Sequence, residues 1–275
     1  MAELPEPVGV MAASHVRPGS QNGVSRSLPE ETPVAMVYDG TSHAVMMATP
    51  ADIQDFAAGF SLTEGFVTGL EDIASCEVIA HDLGIEARMW LRGDRAQALA
   101  ARRRNMIGPV GCGLCGIDSL EEASRALPDL RDRGPSLSVS QVALATDSLR
   151  DWQPFHDRTR AVHAAGFLIP GRGVVLARED VGRHNALDKL IGAMARQDMD
   201  AERGAIVLTS RVSVEMVQKC AMAGCAILIA VSAPTLHALR IADAAGITVA
   251  AFARGEGFDL FTHPERLKAE VSHVA

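Results

Sequence analysis

The sequence predicts an α/β protein: a larger α/β domain with a mostly parallel sheet, preceded by a smaller α+β domain. Three observations predict it. In the second half, AIVLTS, VEMVQKCAMA, AILIAVS, LHALRIADAA and ITVAAFA alternate strand-like apolar runs with helical ones, the pattern of a parallel sheet covered on both faces. In the first half, two pairs of short strand-like runs flank one helical stretch. Hydrophobic residues make up 48% of the chain and aromatics only 4%, so the expected core is large and mostly aliphatic. The 275 residues suffice for two domains of ordinary size.

Taken in order, residues 1–28 are rich in Pro, Gly, Ser and small polar residues without periodicity and are expected to be a disordered tail. The small α+β domain is expected over 29–134. It opens with runs at 33–38 and 43–48 joined through Asp39-Gly40, a hairpin signal. TPADIQDFAAGFSLTEG then reads as a helix. Thr49 can cap it, Pro50 fits the first turn and Asp52 suits the positive end. Ile53, Phe56, Ala57 and Phe60 form one apolar face. Runs at 76–80 and 85–91 turn at Asp82-Leu83-Gly84. Arg102, Arg103 and Arg104 lead into the loop GPVGCGLCGIDSLEEA, after which Ser119 and Glu122 have capping-box spacing. DLRDRGPS marks the boundary.

The α/β domain is expected over 135–275. A helix is predicted over 138–149. Strands at 164–169 and 173–177 flank the turn Pro170-Gly171-Arg172. Leu187, Leu190, Ile191 and Met194 mark an amphipathic helix, and the alternating run follows.

A net charge of −8 gives the chain no overall attraction to nucleic acid. The start, MAELPEP, lacks the basic-then-apolar pattern of a signal peptide. The apolar run at 226–231 is far short of a bilayer span. Five cysteines are too few, and odd in number, for a disulfide scaffold, so a reducing cytoplasm is expected.

Ligands of such sheets bind beyond the carboxyl ends of the strands. Here those ends carry REDVGRHN (Asp180, Arg183, His184, Asn185), TSRVS (Ser210, Arg211, Ser213), VSAPT (Ser232, Thr235) and FARGEG (Arg254, Gly255, Gly257). Hydroxyls, arginines, glycines and helix starts suit an anionic, phosphorylated ligand. Solvated loops and helix caps are the alternative reading of each loop taken alone.

Cys112 and Cys115 supply two ligands of a zinc site, which needs four, or three plus water. Cys220 and Cys225 look like core hydrophobes, and Cys76 is expected to pack in a strand. A zinc deaminase has H-x-E followed by P-C-x-x-C. His263-Pro264-Glu265 follows the cysteines instead, and Pro109 does not directly precede Cys112. No buried strand precedes the pair, as a thioredoxin-like motif requires. Two readings remain: an unreactive structural turn, or a glycine-rich loop carrying nucleophilic sulfur. In the second, upstream arginines and the following helix start stabilise a thiolate that accepts sulfur as a persulfide.

TPADIQDFAAGF, CGLCGIDSLEEA, EDVGRHNALDKLIG, TSRVSVEMVQKCAMAG and FARGEGFDLFTHPERL together resemble the formate dehydrogenase accessory sulfurtransferases, the FdhD family, over about 31–266. EDVGRHNALDK is the most specific of the five. The resemblance implies a cytidine-deaminase-like fold for the larger domain. It implies a sulfurtransferase loaded by a cysteine desulfurase. Sulfur then passes to the molybdenum cofactor bearing two molybdopterin guanine dinucleotides, which apo formate dehydrogenase requires. It places the persulfide on Cys112, with Cys115 assisting. It maps cofactor binding to Phe252, Ala253, Arg254, Gly255, Glu256 and Gly257, with no resident metal, and implies a homodimer. A zinc-dependent deaminase or hydrolase, and a cofactor chaperone that handles no sulfur, are the rival functions. Asp180 and His184 are expected either to structure the site or to move protons. Val110-Gly111 stand where the family has small hydroxyl residues, and Gly257 where it has a larger polar or basic one.

Overall fold

A computed structural model of the chain describes residues 3–93, 126–255 and 257–268. Cys112, Cys115 and Glu256 lie outside them, as do Arg102 to Arg104 and the Ser119–Glu122 cap.

Within residues 1–28, expected to be disordered, 8–28 form with Pro29 an antiparallel hairpin of β1 (Val8–Arg17) and β2 (Ser20–Pro29). Pro18-Gly19 makes the turn, with Gly19 at φ 79°, the backbone that a Pro-Gly turn supplies. Val8, Val10, Ala12 and Val16 alternate along β1, but the alternation is short and broken by Ser14, and Val10, Met11 and Val16 remain exposed.

The next sheet has the order β4-β3-β6-β5. β3 (Thr32–Tyr38) and β4 (Thr41–Ala48) meet across Asp39-Gly40, both at positive φ, as a two-residue hairpin requires. β5 (Ile73–His81) and β6 (Gly84–Leu91) form the second hairpin, and β6 lies parallel to β3. Val34, Met36, Ile85, Ala87 and Met89 alternate onto one face. There they bury against Phe56, Ala57 and Phe60 of α1 (Ile53–Thr63).

The start of α1 differs from expectation. Asp52 occupies the N-cap at φ 54° with no side-chain capping bond. Thr49 lies upstream, where its hydroxyl accepts from the Val181 amide at 3.1 Å. A tertiary partner took the oxygen that local spacing had assigned to the helix.

The large sheet has six strands in the order β13-β12-β11-β10-β8-β9. They are β8 (His163–Ile169), β9 (Gly173–Asp180), β10 (Ala205–Leu208), β11 (Ile227–Ala230), β12 (Thr248–Arg254) and β13 (Gly257–Thr262). β9 to β12 point the same way, while β8 and β13 run opposite. Every residue of β10 and β11 is buried, which explains their continuous apolar runs.

The predicted 138–149 helix is two helices, α2 (Val139–Ala143) and α3 (Ala145–Arg150). Ser138 and Gln141 form a capping box at the start of α2. Val142, Ala145 and Leu149 cover one face of the sheet against Val207, Ile229 and Ala250. α4 (Pro154–Thr159) follows at the sheet end. The other face buries Phe167, Ile206, Leu228 and Val249. It lies under α5 (Arg183–Arg196), α6 (Val214–Met222) and α7 (Leu236–Ala245). A short parallel pair, β7 (Leu137–Ser138) with β14 (Leu267–Lys268), closes the chain.

Candidate functional site

Because β9 to β12 share a direction, their carboxyl ends meet at one edge. Asp180, Thr209, Val231 and Arg254 stand there together. A cleft of about 600 Å³ opens at this edge, within the usual size of ligand sites. Its lining includes Arg150, Arg160, His163, Thr209, Arg254 and Gly255.

Arg254 and Gly255, from the expected cofactor stretch, are in that lining. Phe252 is exposed and carries φ 54° at a β-bulge. Such a backbone is an outlier for a bulky residue, and it turns the ring out of the sheet. The methyl of Ala253 is buried in the core, while its carbonyl accepts from the Thr146 hydroxyl at 3.1 Å. A Cβ on Gly257 would meet open space, so a larger residue has room there.

EDVGRHNALDK does different work from the cleft. The Asp180 carboxylate is fully buried. It accepts from the amides of Thr49 at 3.0 Å and Gly182 at 2.7 Å, and from the Asn185 amide group at 3.0 Å. Lys189, equally buried, pairs with it at 2.6 Å and donates to the Thr49 carbonyl at 2.8 Å. Asn185 also donates to the Met47 carbonyl. One turn on, Asp188 accepts from the Thr63 hydroxyl at 2.7 Å and from Lys219 at 2.9 Å. Lys219 also reaches Glu64 at 2.7 Å. Burial disfavours the Lys219 charge, but Asp188 and Glu64 outweigh it and raise its pKa. These residues join the small sheet's segment 47–64 to the large sheet. All of these Asp180 partners are inside the protein.

Arg183 and His184 of the motif remain at the edge, beside His163 of β8. His184 Nε2 lies 3.8 Å from Glu215, beyond hydrogen-bond length but near enough for the imidazole to help lower the Glu215 carboxyl to about 2. His163 faces Asp180 across the β8–β9 pair. Burial, then the Arg183 charge, lowers its pKa, which favours the neutral ring. Among the described residues, the buried polar atoms without a hydrogen-bond partner are Arg150 Nη1, Arg183 Nε, His184 Nε2 and Ser213 Oγ. All four belong to segments at this edge.

Arg211 is exposed beside the buried Ser210. His263 sits beyond the far end of β13, its Nε2 donating to the Asp243 carbonyl at 2.9 Å. His263-Pro264-Glu265 is thus placed away from the cleft that a deaminase reading would assign to it. Cys220 and Cys225 are in the core. Burial pushes the Cys220 thiol well up and that of Cys225 to about 11, so neither is poised as a thiolate. Cys76 packs beside the small core.

Sequence reasoning missed the whole 150–160 side of the cleft. RDWQPFHDRTR matches no motif, and its basic residues meet Arg254 only through the fold.

The FdhD/NarQ family pattern matches residues 29–268. A protein of Agrobacterium fabrum named sulfur carrier protein FdhD is 49% identical over 257 residues, covering 94% of this chain and 95% of its own. One of the same name from Brucella abortus is 52% identical over 243 residues, covering 88% and 90%. A crystal structure from Desulfotalea psychrophila, named there as a formate dehydrogenase accessory protein, superposes with a TM-score of 0.75 at 24% identity. It covers 96% of this chain and 100% of that one, and shares its fold. With the pattern spanning both sheets and the relatives spanning nearly the whole chain, this protein belongs to the FdhD/NarQ family.

Proposed function

We propose that this chain is a sulfur carrier in formate dehydrogenase maturation, with Cys112 as the persulfide site. The Cys112 thiolate attacks the outer sulfur of a cysteine desulfurase persulfide. A new sulfur–sulfur bond forms on Cys112, and the desulfurase thiolate leaves. The sulfur then passes to a molybdenum cofactor bearing two molybdopterin guanine dinucleotides, the substrate of the transfer. Cys115 assists release by attacking the Cys112 sulfur, forming a disulfide and freeing hydrosulfide. Arg254 and the backbone near Gly255 bind the cofactor's phosphates, and Phe252 offers a ring face to its guanine. A cytoplasmic homodimer that serves apo formate dehydrogenase completes the reading.

One observation carries it: a cleft lined by three arginines, including Arg254 of the expected cofactor stretch, at the carboxyl edge, in a chain of net charge −8. Such local concentration of positive charge suits a polyphosphate. The names of the relatives supply the sulfur.

Intact-protein mass spectrometry after incubation with desulfurase and cysteine tests the reading. Wild type should gain one sulfur, and Cys112→Ala should gain none and fail to activate formate dehydrogenase. If Cys112→Ala still activates the enzyme fully, the chaperone reading replaces this one. Stoichiometric zinc, lost in the Cys112→Ala/Cys115→Ala protein, would replace it with a metal hydrolase.

A further inference from the structure

We propose that α3 and α4 form the second wall of the anion site, with Arg150 and Arg160 gripping a nucleotide's diphosphate against Arg254. This rests on the nucleotide-binding part of the proposed function and adds residues outside the 252–257 stretch.

The wall is built to stay in place. Ala145 and Leu149 bury α3 in the core, which leaves Arg150, at the end of the helix, in the lining of the cleft. Pro154 opens α4. The Glu179 carboxylate, on a residue only 4% exposed, accepts from the Phe155 amide at 2.7 Å and the His156 amide at 2.8 Å. That buried carboxylate pins α4 to the end of β9. Arg160 then ends α4 in a left-handed conformation, φ 58°. This sharp stop turns the chain along the cleft through Ala161, Val162 and His163 into β8.

The guanidinium groups are available. Arg150 gives Nη2 to Asp157, but its Nη1 is buried and makes no hydrogen bond. Among the described residues, Arg160 has no carboxylate within ion-pair distance. Arg254 donates, among the described residues, only to the Val231 carbonyl, at 3.3 Å. Among the described residues, the lining holds these three arginines against one carboxylate, Asp147. Guanidinium forks match the paired oxygens of phosphates. Three of them around one concave site suit a diphosphate better than a single phosphate. Asp157 is the built-in competitor, since it occupies part of the Arg150 fork.

Calorimetric titration of the full chain with GDP, and separately with inorganic pyrophosphate, tests this. Arg160→Ala and Arg150→Lys should each weaken GDP binding about tenfold or more, the scale of one charge-assisted contact. Pyrophosphate should compete with GDP. Asp157→Asn should tighten GDP binding severalfold, a gain that misfolding cannot imitate. Arg158→Ala, on the same helix but outside the lining, should leave it unchanged. If Arg160→Ala and Arg150→Lys bind within twofold of wild type while Arg254→Ala does not, the wall is refuted and the cofactor stretch stands. If wild type binds neither GDP nor pyrophosphate, the wall and the cleft assignment both fail. The sulfur-carrier reading is then judged separately, by the Cys112 adduct.

Discussion

The seam between α1 and α5 and the cleft under α4 are both rich in charge, and they spend it in opposite ways. At the seam, Asp180, Asp188, Lys189 and Lys219 are buried and bound to one another or to backbone. In the cleft, Arg160 and Arg254 are exposed and Arg150 keeps a nitrogen free. The stretch that identifies the chain most specifically is thus mainly scaffold. The stretch that meets solvent with unspent charge has no recognisable pattern. A charge already paired inside the protein has little left for a ligand, and one held near a cleft without a partner destabilises slightly until a ligand arrives.

The comparison breaks most sharply at Lys189. Lys189→Met removes the cation from a buried carboxylate and should cost about 3–5 kcal/mol in urea denaturation. A loss under about 1 kcal/mol would mean the seam is not the scaffold described. Gly192→Ala comes next. A Cβ there would collide with the Asp55 carbonyl, as one on Gly59 would with that of Asp188. Backbone has to shift, at a cost of about 3 kcal/mol. The same denaturation series measures it.

A smaller effect concerns pH. Glu215, lowered to about 2 in the folded protein against an ordinary 4.5, contributes stability present above pH 4.5 and lost as pH falls toward 2. His163 is lowered too, so its share is present above about 6.5 and declines as pH falls below that. Melting temperatures from pH 7 to pH 3 should therefore fall less in Glu215→Gln than in wild type. Equal slopes would remove the edge's share of the acid loss. The smallest effect sharpens the contrast: Arg160→Ala should change stability by no more than about 0.5 kcal/mol. A larger loss would make Arg160 scaffold, like Lys189.

How much of this was legible depended on whether a signal was local. β10 and β11, covered on both sides, show as unbroken apolar runs, and Asp39-Gly40 announces its turn by composition. The Cys220 and Cys225 burial follows from their apolar neighbours. Other features depend on distant partners. Thr49 fits a cap by spacing, yet its oxygen goes to Val181, 132 residues on. The β1–β2 hairpin pairs without burying an apolar face, so its brief alternation of Val8, Val10 and Ala12 is a weak signal beside the Pro, Gly and Ser around it. Nothing in RDWQPFHDRTR indicates that Arg150 and Arg160 will stand across from Arg254. The four-loop edge was legible in outline, because strand direction follows from the alternation. Which of its polar groups would be spent internally was not.

The contact of α1 with α5 has a further consequence. Two glycines bring the backbones together, and the Asp55 carboxylate binds Arg178 and Arg196 across the same seam. The small and large sheets are therefore welded, and they cannot gape and shut like jaws around a visitor. In the proposed function, desulfurase and apo-enzyme therefore dock onto one fixed frame, in turn or side by side, its shape set before either arrives.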